Sequence, residues 1–284
     1  MKKILVATDF SERSDRAIRR AVLLAKKFDA KLSIVHVIDD DRPKRIVNTE
    51  WEAATALLTE QTRSLCNIDN ITCDYSIVAG DPFEGIVKAS DELMPDILVV
   101  GPYRRQVLKD VFIGTTAERV IRASRQPILM ANGVPAGFYR HVLIALDFSD
   151  CAADAVRIVQ DIELEKHAAI SVVHVFDTLG AGLISRSAMT EAQVNDYLEG
   201  EQKRASHEMA AFLSKLNLEP VQRILRRNET SIAAMIYAAA KESSADLLVI
   251  GSHGRSGITK MLLGSVAGEV LRSVDLDVLV VPPR

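Results

Sequence analysis

The chain repeats itself. Lys3–Phe10 reads KILVATDF and His141–Phe148 reads HVLIALDF, an offset of 138 residues. The same offset sets Ser33-Ile34-Val35-His36-Val37 against Ser171-Val172-Val173-His174-Val175, while Asp96–Gly101 (DILVVG) matches Asp246–Gly251 (DLLVIG) at an offset of 150, so the second half carries a 12-residue insertion in between. A period near 140 is far longer than a solenoid unit, which makes this a duplicated domain rather than a repeat array. The 284 residues agree with two domains. They are expected over 1–134 and 138–284, joined by the short Gly/Pro-rich run Asn132–Gly137, with the halves held against each other.

Each half alternates short apolar runs with longer segments of helical period. The strand candidates are Ile4–Ala7, Leu32–Val37, Ile97–Val100 and Ile128–Met130, then Val142–Leu146, Ile170–Val175, Leu247–Ile250 and Val278–Val281. Runs without polar alternation belong to strands buried on both faces, so each half is expected to be a doubly wound α/β domain built on a parallel sheet. After the first strand, Ala17, Ile18, Ala21, Val22, Leu24 and Ala25 fall on one helical face, leaving Arg19, Arg20, Lys26 and Lys27 for solvent. Thr49-x-x-Glu52 and Thr190-x-x-Gln193 each read as a capping box opening the helix after the second strand. Pro282-Pro283 closes the last strand.

Charge and composition exclude several classes of function. Hydrophobic residues at 48% and charged residues at 26% describe an ordinary globular chain, not a disordered or fibrous one. A net charge of −3 supplies no field for a phosphate backbone, so nucleic acid is not an expected partner. No apolar run is long enough to cross a membrane, and Asp9 interrupts the amino terminus before a signal-length stretch forms, which points to the cytoplasm. Cys66, Cys73 and Cys151 lack the paired spacings of a zinc or redox motif and read as reduced core or surface thiols.

In doubly wound sheets ligands bind beyond the carboxyl ends of the strands, where strand order reverses. In the second half, Gly251-Ser252-His253-Gly254 stands at such an end, and nine residues later Gly264-Ser265 opens the next helix, where free N–H groups attract an anion. Two glycines permit a tight turn, and the arrangement suits a polyphosphate although neither a Walker loop nor G-x-G-x-x-G is present. This G-x-x-G, nine residues, G-[ST] pattern, preceded by an Asp after strand one and a His-Val in strand two, resembles the universal stress protein family, over essentially the whole chain as two tandem copies.

The resemblance implies an ATP site in the second half, with a bridging Mg²⁺ or Mn²⁺. Asp147 would lie beside adenine and ribose, and Val175 would offer backbone groups to the base. Ile250, Gly251, His253 and Gly254 would line ribose and phosphates, and Gly264, Ser265 and Val266 would hold the phosphate tail. It also implies that Val278–Val281 and Ile128–Ala131 pair as they would in a dimer, making the two halves an intrachain pseudo-dimer. A homodimer of whole chains remains a further option.

The first half departs from the pattern. Asp9, Val37, Gly101, Gly114 and Thr115 match, but Arg104 stands where the second glycine belongs. Its bulk argues for a degenerate site that does not take ATP in the usual way, whereas its fork of N–H groups could also donate to phosphate. The bland readings stand beside these. Asp9 and Asp147 could cap the helices that follow them, His36 and His174 read as hydrogen-bonded core residues, and Arg255 and Lys260 could be solvated charges or phosphate partners. The segment from Gly180-Ala181-Gly182 through Thr190 to Leu216 could be a lid or simply a longer helix and loop. Function then divides three ways: a nucleotide-dependent regulatory module acting on an unidentified protein partner, a slow ATPase or self-phosphorylating enzyme, or a scaffold without nucleotide or with another small ligand in the first half. No constellation of general base, Walker lysine and metal carboxylates supports the enzyme, so the regulatory reading leads.

Overall fold

A computed structural model describes residues 1–101, 116–176, 190–254 and 263–284. Among the described residues ten strands form a single sheet. In the first half these are β1 (Lys3–Thr8), β2 (Lys31–Ile38), β3 (Cys73–Ala79), β4 (Ile97–Val100) and β5 (Ile128–Met130). In the second they are β6 (His141–Ala145), β7 (Ala169–Phe176), β8 (Gln222–Arg227), β9 (Leu247–Gly251) and β10 (Asp277–Val281). The order is β3-β2-β1-β4-β5-β10-β9-β6-β7-β8, and every neighbouring pair is parallel except β5 with β10.

That antiparallel pair joins the two halves, setting Val278 against Met130, Leu279 against Leu129 and Val280 against Ile128. The last strand of each half is thereby covered, and the sheet edges fall instead on β3 and β8. These two strands escaped the search for continuous apolar runs, and their position explains why. An edge strand carries charges and alternates, as CDYSIVA and QRILRR do, because a long apolar edge would invite pairing with another chain.

Helices cover both faces. On one lie α1 (Glu12–Phe28), α2 (Lys44–Asp69), α5 (Asp150–Asp161) and α6 (Glu191–Lys215). On the other lie α3 (Pro82–Leu93), α4 (Thr116–Ala123), α7 (Ile232–Glu242) and α8 (Ser265–Ser273). The central strands are buried throughout, as the β1 to β4 and β6 to β9 register requires of strands packed on both sides.

The helix starts sort out the capping expectations. Thr190 is the N-cap of α6 and forms the full capping box with Gln193. Thr49 does not cap: α2 already begins at Lys44 behind Pro43, and the Thr49 hydroxyl donates to the Arg45 carbonyl one turn back, 3.0 Å away. Proline pre-sets the chain for a helix start, and hydropathy alone does not reveal that. Among the described residues no helix is long and apolar enough to cross a membrane.

Arg20 also departs from expectation. The apolar face of α1 is buried as its period requires, yet Arg20 is buried with it, at 5% exposure. Its Nε lies 2.7 Å from Oδ2 of Asp277 at the start of β10, Nη1 donates to the Gly137 carbonyl (2.7 Å), and the guanidinium stacks 4.4 Å over the Tyr139 ring. The Tyr139 hydroxyl donates to Asp277 at 2.6 Å, and the Gly133 N–H donates to its other oxygen at 2.8 Å. One carboxylate of the second half thus gathers a helix of the first half and both ends of the connecting segment. An arginine beside an apolar stripe looks solvated in sequence because its partner lies more than 250 residues away.

Candidate functional site

The two halves reverse strand order at β1/β4 and at β6/β9. Beyond β6 and β9 lies a cavity of about 690 Å³, within the usual size range of small-molecule sites. Leu146 and Asp147 border it after β6, Val173–Phe176 from β7, Ile232 and Ile236 from α7, and Gly251–Gly254 and Gly264–Ala267 from the glycine loop.

The glycines are needed for close approach rather than for a left-handed turn, since none of the three has positive φ. A Cβ on Gly251 would stand 2.9 Å from the Cys151 sulfur and 3.3 Å from its backbone, so α5 can pack on β9 only over a glycine. A Cβ on Gly254 would stand 2.8 Å from Oδ2 of Asp147, which lets this loop close directly over the carboxylate. A Cβ on Gly264 would meet the Ser252 carbonyl at 3.2 Å, the same oxygen that accepts from the Gly264 N–H at 2.8 Å. Strand β10 steadies the arrangement, because the Val281 carbonyl accepts from the Ser252 N–H at 2.8 Å and from the Cys151 thiol at 3.4 Å.

Gly264 is also the N-cap of α8 and brings no side chain to satisfy the first N–H groups of that helix. Ser265, Val266 and Ala267 supply those groups where they border the cavity. A helix start of this kind attracts an anion through its N–H groups and dipole.

Asp147 and Asp9 are not helix caps. Ser149 and Ser11 hold that role, their hydroxyls accepting from the Ala152 and Ser14 N–H groups. Each Asp sits two residues earlier and accepts from the serine hydroxyl and N–H, at 2.6 and 3.1 Å for Asp147 and at 2.5 and 3.0 Å for Asp9. Burial pushes the Asp9 carboxyl up, but the Ser11 and Ser14 hydrogen bonds and the Arg13 charge together hold it below the usual range. Between each Asp and Ser a phenylalanine, Phe10 or Phe148, takes left-handed φ of 58° or 62°. That conformation is costly for a bulky residue and marks a constrained turn. Each ring stacks on the histidine of the next strand, with centroids 4.4 Å apart for Phe10 and His36 and 4.2 Å for Phe148 and His174. His36 and His174 in turn donate from Nδ1 to the carbonyls of Thr8 and Leu146, at 2.9 and 2.7 Å, as core histidines would.

A model of the universal stress protein family matches residues 1–132 and again 138–282. The chain belongs to this family. A universal stress protein of Mycolicibacterium smegmatis is 25% identical over an alignment 308 positions long, gaps included, covering 99% of this chain and 97% of the relative. One from Mycobacterium tuberculosis is 23% identical and covers 98% and 96%. The fold is also that of a universal stress protein structure from Archaeoglobus fulgidus, with a TM-score of 0.69 at 21% identity over 99% of this chain and 98% of that one.

Within this universal stress protein, all nine residues expected at the second-half site, Asp147, Val175, Ile250, Gly251, His253, Gly254, Gly264, Ser265 and Val266, border the one cavity. Sequence reasoning offered the segment from Thr190 to Leu216 as a lid or as a longer helix and loop, but named none of the residues of the cavity's far wall. Tyr197, Glu201, Arg204, Ala205 and Glu208 of α6 line it too, at the spacing of one helical face. The helical period was visible, but the stripe is polar because it faces a cavity, so a search for apolar faces passes over it.

In the first half Asp9, Val37 and Gly101 take the corresponding places. Gly101 is required for the same reason as Gly251, since a Cβ would lie 3.0 Å from the Arg13 backbone at the start of α1. Thr8 and Ser14 join hydroxyls at 3.1 Å where the second half has the cavity-lining Leu146 and Ala152. Gly85 on α3 lies so close to Val37 that a Cβ would come within 2.6 Å of its Cγ1. Arg104, Gly114 and Thr115 lie outside the described residues, as do Gly180–Gly182, Arg255 and Lys260.

Proposed function

We propose that this universal stress protein binds ATP in its second half and acts as a nucleotide-dependent regulatory module. The supporting observation is the coincidence, in one cavity, of an uncapped helix start at Gly264-Ser265 and a loop whose glycines are sterically required beside Asp147. The phosphates lie on the α8 N–H groups and the Gly251–Gly254 backbone, and the ribose stands over Asp147. The base extends toward Val175 and the apolar Ile232 and Ile236.

Among the described residues no group of three or more His, Cys, Asp or Glu side chains is placed to hold a metal. Mg²⁺ or Mn²⁺ would arrive with the nucleotide, held chiefly by its phosphate oxygens, and would neutralise phosphate charge. Asp147 holds the ribose, and the loop backbone fixes the phosphate chain. The described loop end of the cleft offers backbone amides, the Ser252 and Ser265 hydroxyls and the His253 imidazole, a set that can hold phosphate charge in place. Occupancy would then alter the surface that a partner protein meets.

The test is calorimetric titration of the nucleotide-stripped chain with ATP and Mg²⁺. About one site per chain, lost in Gly264→Arg with the fold retained, supports a single site in the second half. Two sites would make the first half a working site, and no binding would leave a scaffold. ATP turnover above background that disappears in the same variant would favour the enzyme.

A further inference from the structure

The wall that α6 contributes lies at a definite end of the cleft. The glycine loop follows β9 and leads into α8, β6 stands next to β9, and β7 lies beyond β6. A ligand whose phosphates rest on the loop therefore reaches α6 with its opposite end, past the ribose position at Asp147. Tyr197, Glu201, Arg204 and Glu208 meet it there.

Glu201 is the more covered carboxylate on this face, Glu208 being exposed. Its side chain is 15% exposed, whereas that of Arg204, which donates to it, is 67% exposed. Both residues border the cavity. A largely covered carboxylate is costly unless paired, and the contact with Arg204 holds this one in position. Arg204 engages Oε2, while an ionised carboxylate has about four acceptor directions and no donor. The end of the cleft away from the phosphates thus presents a fixed group that can only accept.

We propose that Glu201, held by Arg204, is a specificity-determining residue that accepts a hydrogen bond from the exocyclic amine of a 6-aminopurine and so selects it over a 6-oxopurine. The inference rests on the nucleotide reading of the cleft. An amine at that position completes the carboxylate's hydrogen bonding. A carbonyl in the same place sets lone pairs against a negative charge that cannot move away. Sites built around one hydrogen bond discriminate strongly against analogues that lack the partner.

The experiment titrates the full, nucleotide-stripped chain with ATP and with inosine triphosphate, each with Mg²⁺. Wild type, Glu201→Gln, Arg204→Met and the exposed control Glu199→Gln are compared, with thermal unfolding without nucleotide as a check on folding. Wild type and the control are expected to bind ATP at least about tenfold tighter than inosine triphosphate. Glu201→Gln brings the two affinities within about threefold, because an amide both donates and accepts. Arg204→Met, which frees the carboxylate, lowers the ratio at least about threefold and carries the test alone if Glu201→Gln does not fold. A ratio near one in wild type, or a ratio unchanged in the variants, overturns the proposal while ATP binding stands. Failure of wild type to bind either nucleotide overturns the nucleotide reading and this inference with it.

Discussion

Removing Arg20 should unfasten the two halves, and the structure indicates how strongly. The Asp277 side chain is fully buried and that of Arg20 is 6% exposed, so replacing the arginine leaves a carboxylate with no cation in a place water does not reach. Breaking one side of such a pair costs about 3–5 kcal/mol. Arg20→Met keeps most of the side-chain volume, so this loss reports charge more than packing. The Tyr139 hydroxyl and the Gly133 N–H still donate to Asp277 in the variant, which keeps the expected cost near the lower end.

The dependence on pH separates this cause from a packing defect. Burial raises the Asp277 carboxyl above the usual aspartate range, against Arg20, which pulls it down. Between the ordinary aspartate value and the raised one the folded chain binds more protons than the unfolded, so this group's contribution to stability falls as pH rises. Without Arg20 the folded value climbs further and the window widens upward. The penalty of Arg20→Met should therefore be largest near neutral pH and shrink by about 1 kcal/mol or more between about pH 7.5 and about pH 5. Burial and the Asp277 charge raise the Tyr139 phenol well above its usual value, so it stays protonated across this range. Urea unfolding followed by circular dichroism and by the fluorescence of Trp51, the single tryptophan, reads both quantities. A loss below about 1 kcal/mol at neutral pH, or one of equal size at both pH values, would refute the reasoning.

Two further substitutions probe the turns around the sites. Gly85→Ala brings a methyl within 2.6 Å of Val37; about 1–3 kcal/mol of overpacking outweighs a helix gain of about 1 kcal/mol, so thermal unfolding should show a net loss, and a stabilised variant would contradict the close packing. Ser149→Ala removes both the cap of α5 and the hydroxyl that donates to Asp147; it should cost about 1 kcal/mol in denaturant unfolding and weaken ATP binding several-fold in the same titration, and unchanged affinity would mean that Asp147 does not depend on this turn.

What the sequence made legible follows the physics of burial. Strands β1, β4, β6 and β9 are buried on both faces and appear as unbroken apolar runs, so their existence and parallel order could be read directly. Strands β3 and β8 are half solvated, and their charges hide them from that criterion. The glycine spacing revealed the loop that borders the cavity, because steric needs leave glycine little substitute. Neither Glu201 nor Arg20 announces itself in that way. Each is a charged residue in a helix, and its surroundings are set by the fold: Arg20 is buried against Asp277 of a distant strand, and Glu201 borders a cavity.

The same geometry explains what the first half contributes whether or not it holds a ligand. Strand β5 pairs with β10, whose Val281 carbonyl accepts from the Ser252 N–H in the glycine loop. Arg20 compensates the carboxylate at the other end of β10. Without the first half, β10 would become an exposed apolar edge with an unpaired aspartate at its start, and the strand that positions the loop would lose support along its length. The loop has no room for side chains at these glycines, since a Cβ on Gly254 would meet Asp147 and one on Gly264 the Ser252 carbonyl. A half that has lost its own second glycine to Arg104 therefore still has a structural part in the other half's site, as the flank that holds β10 in register.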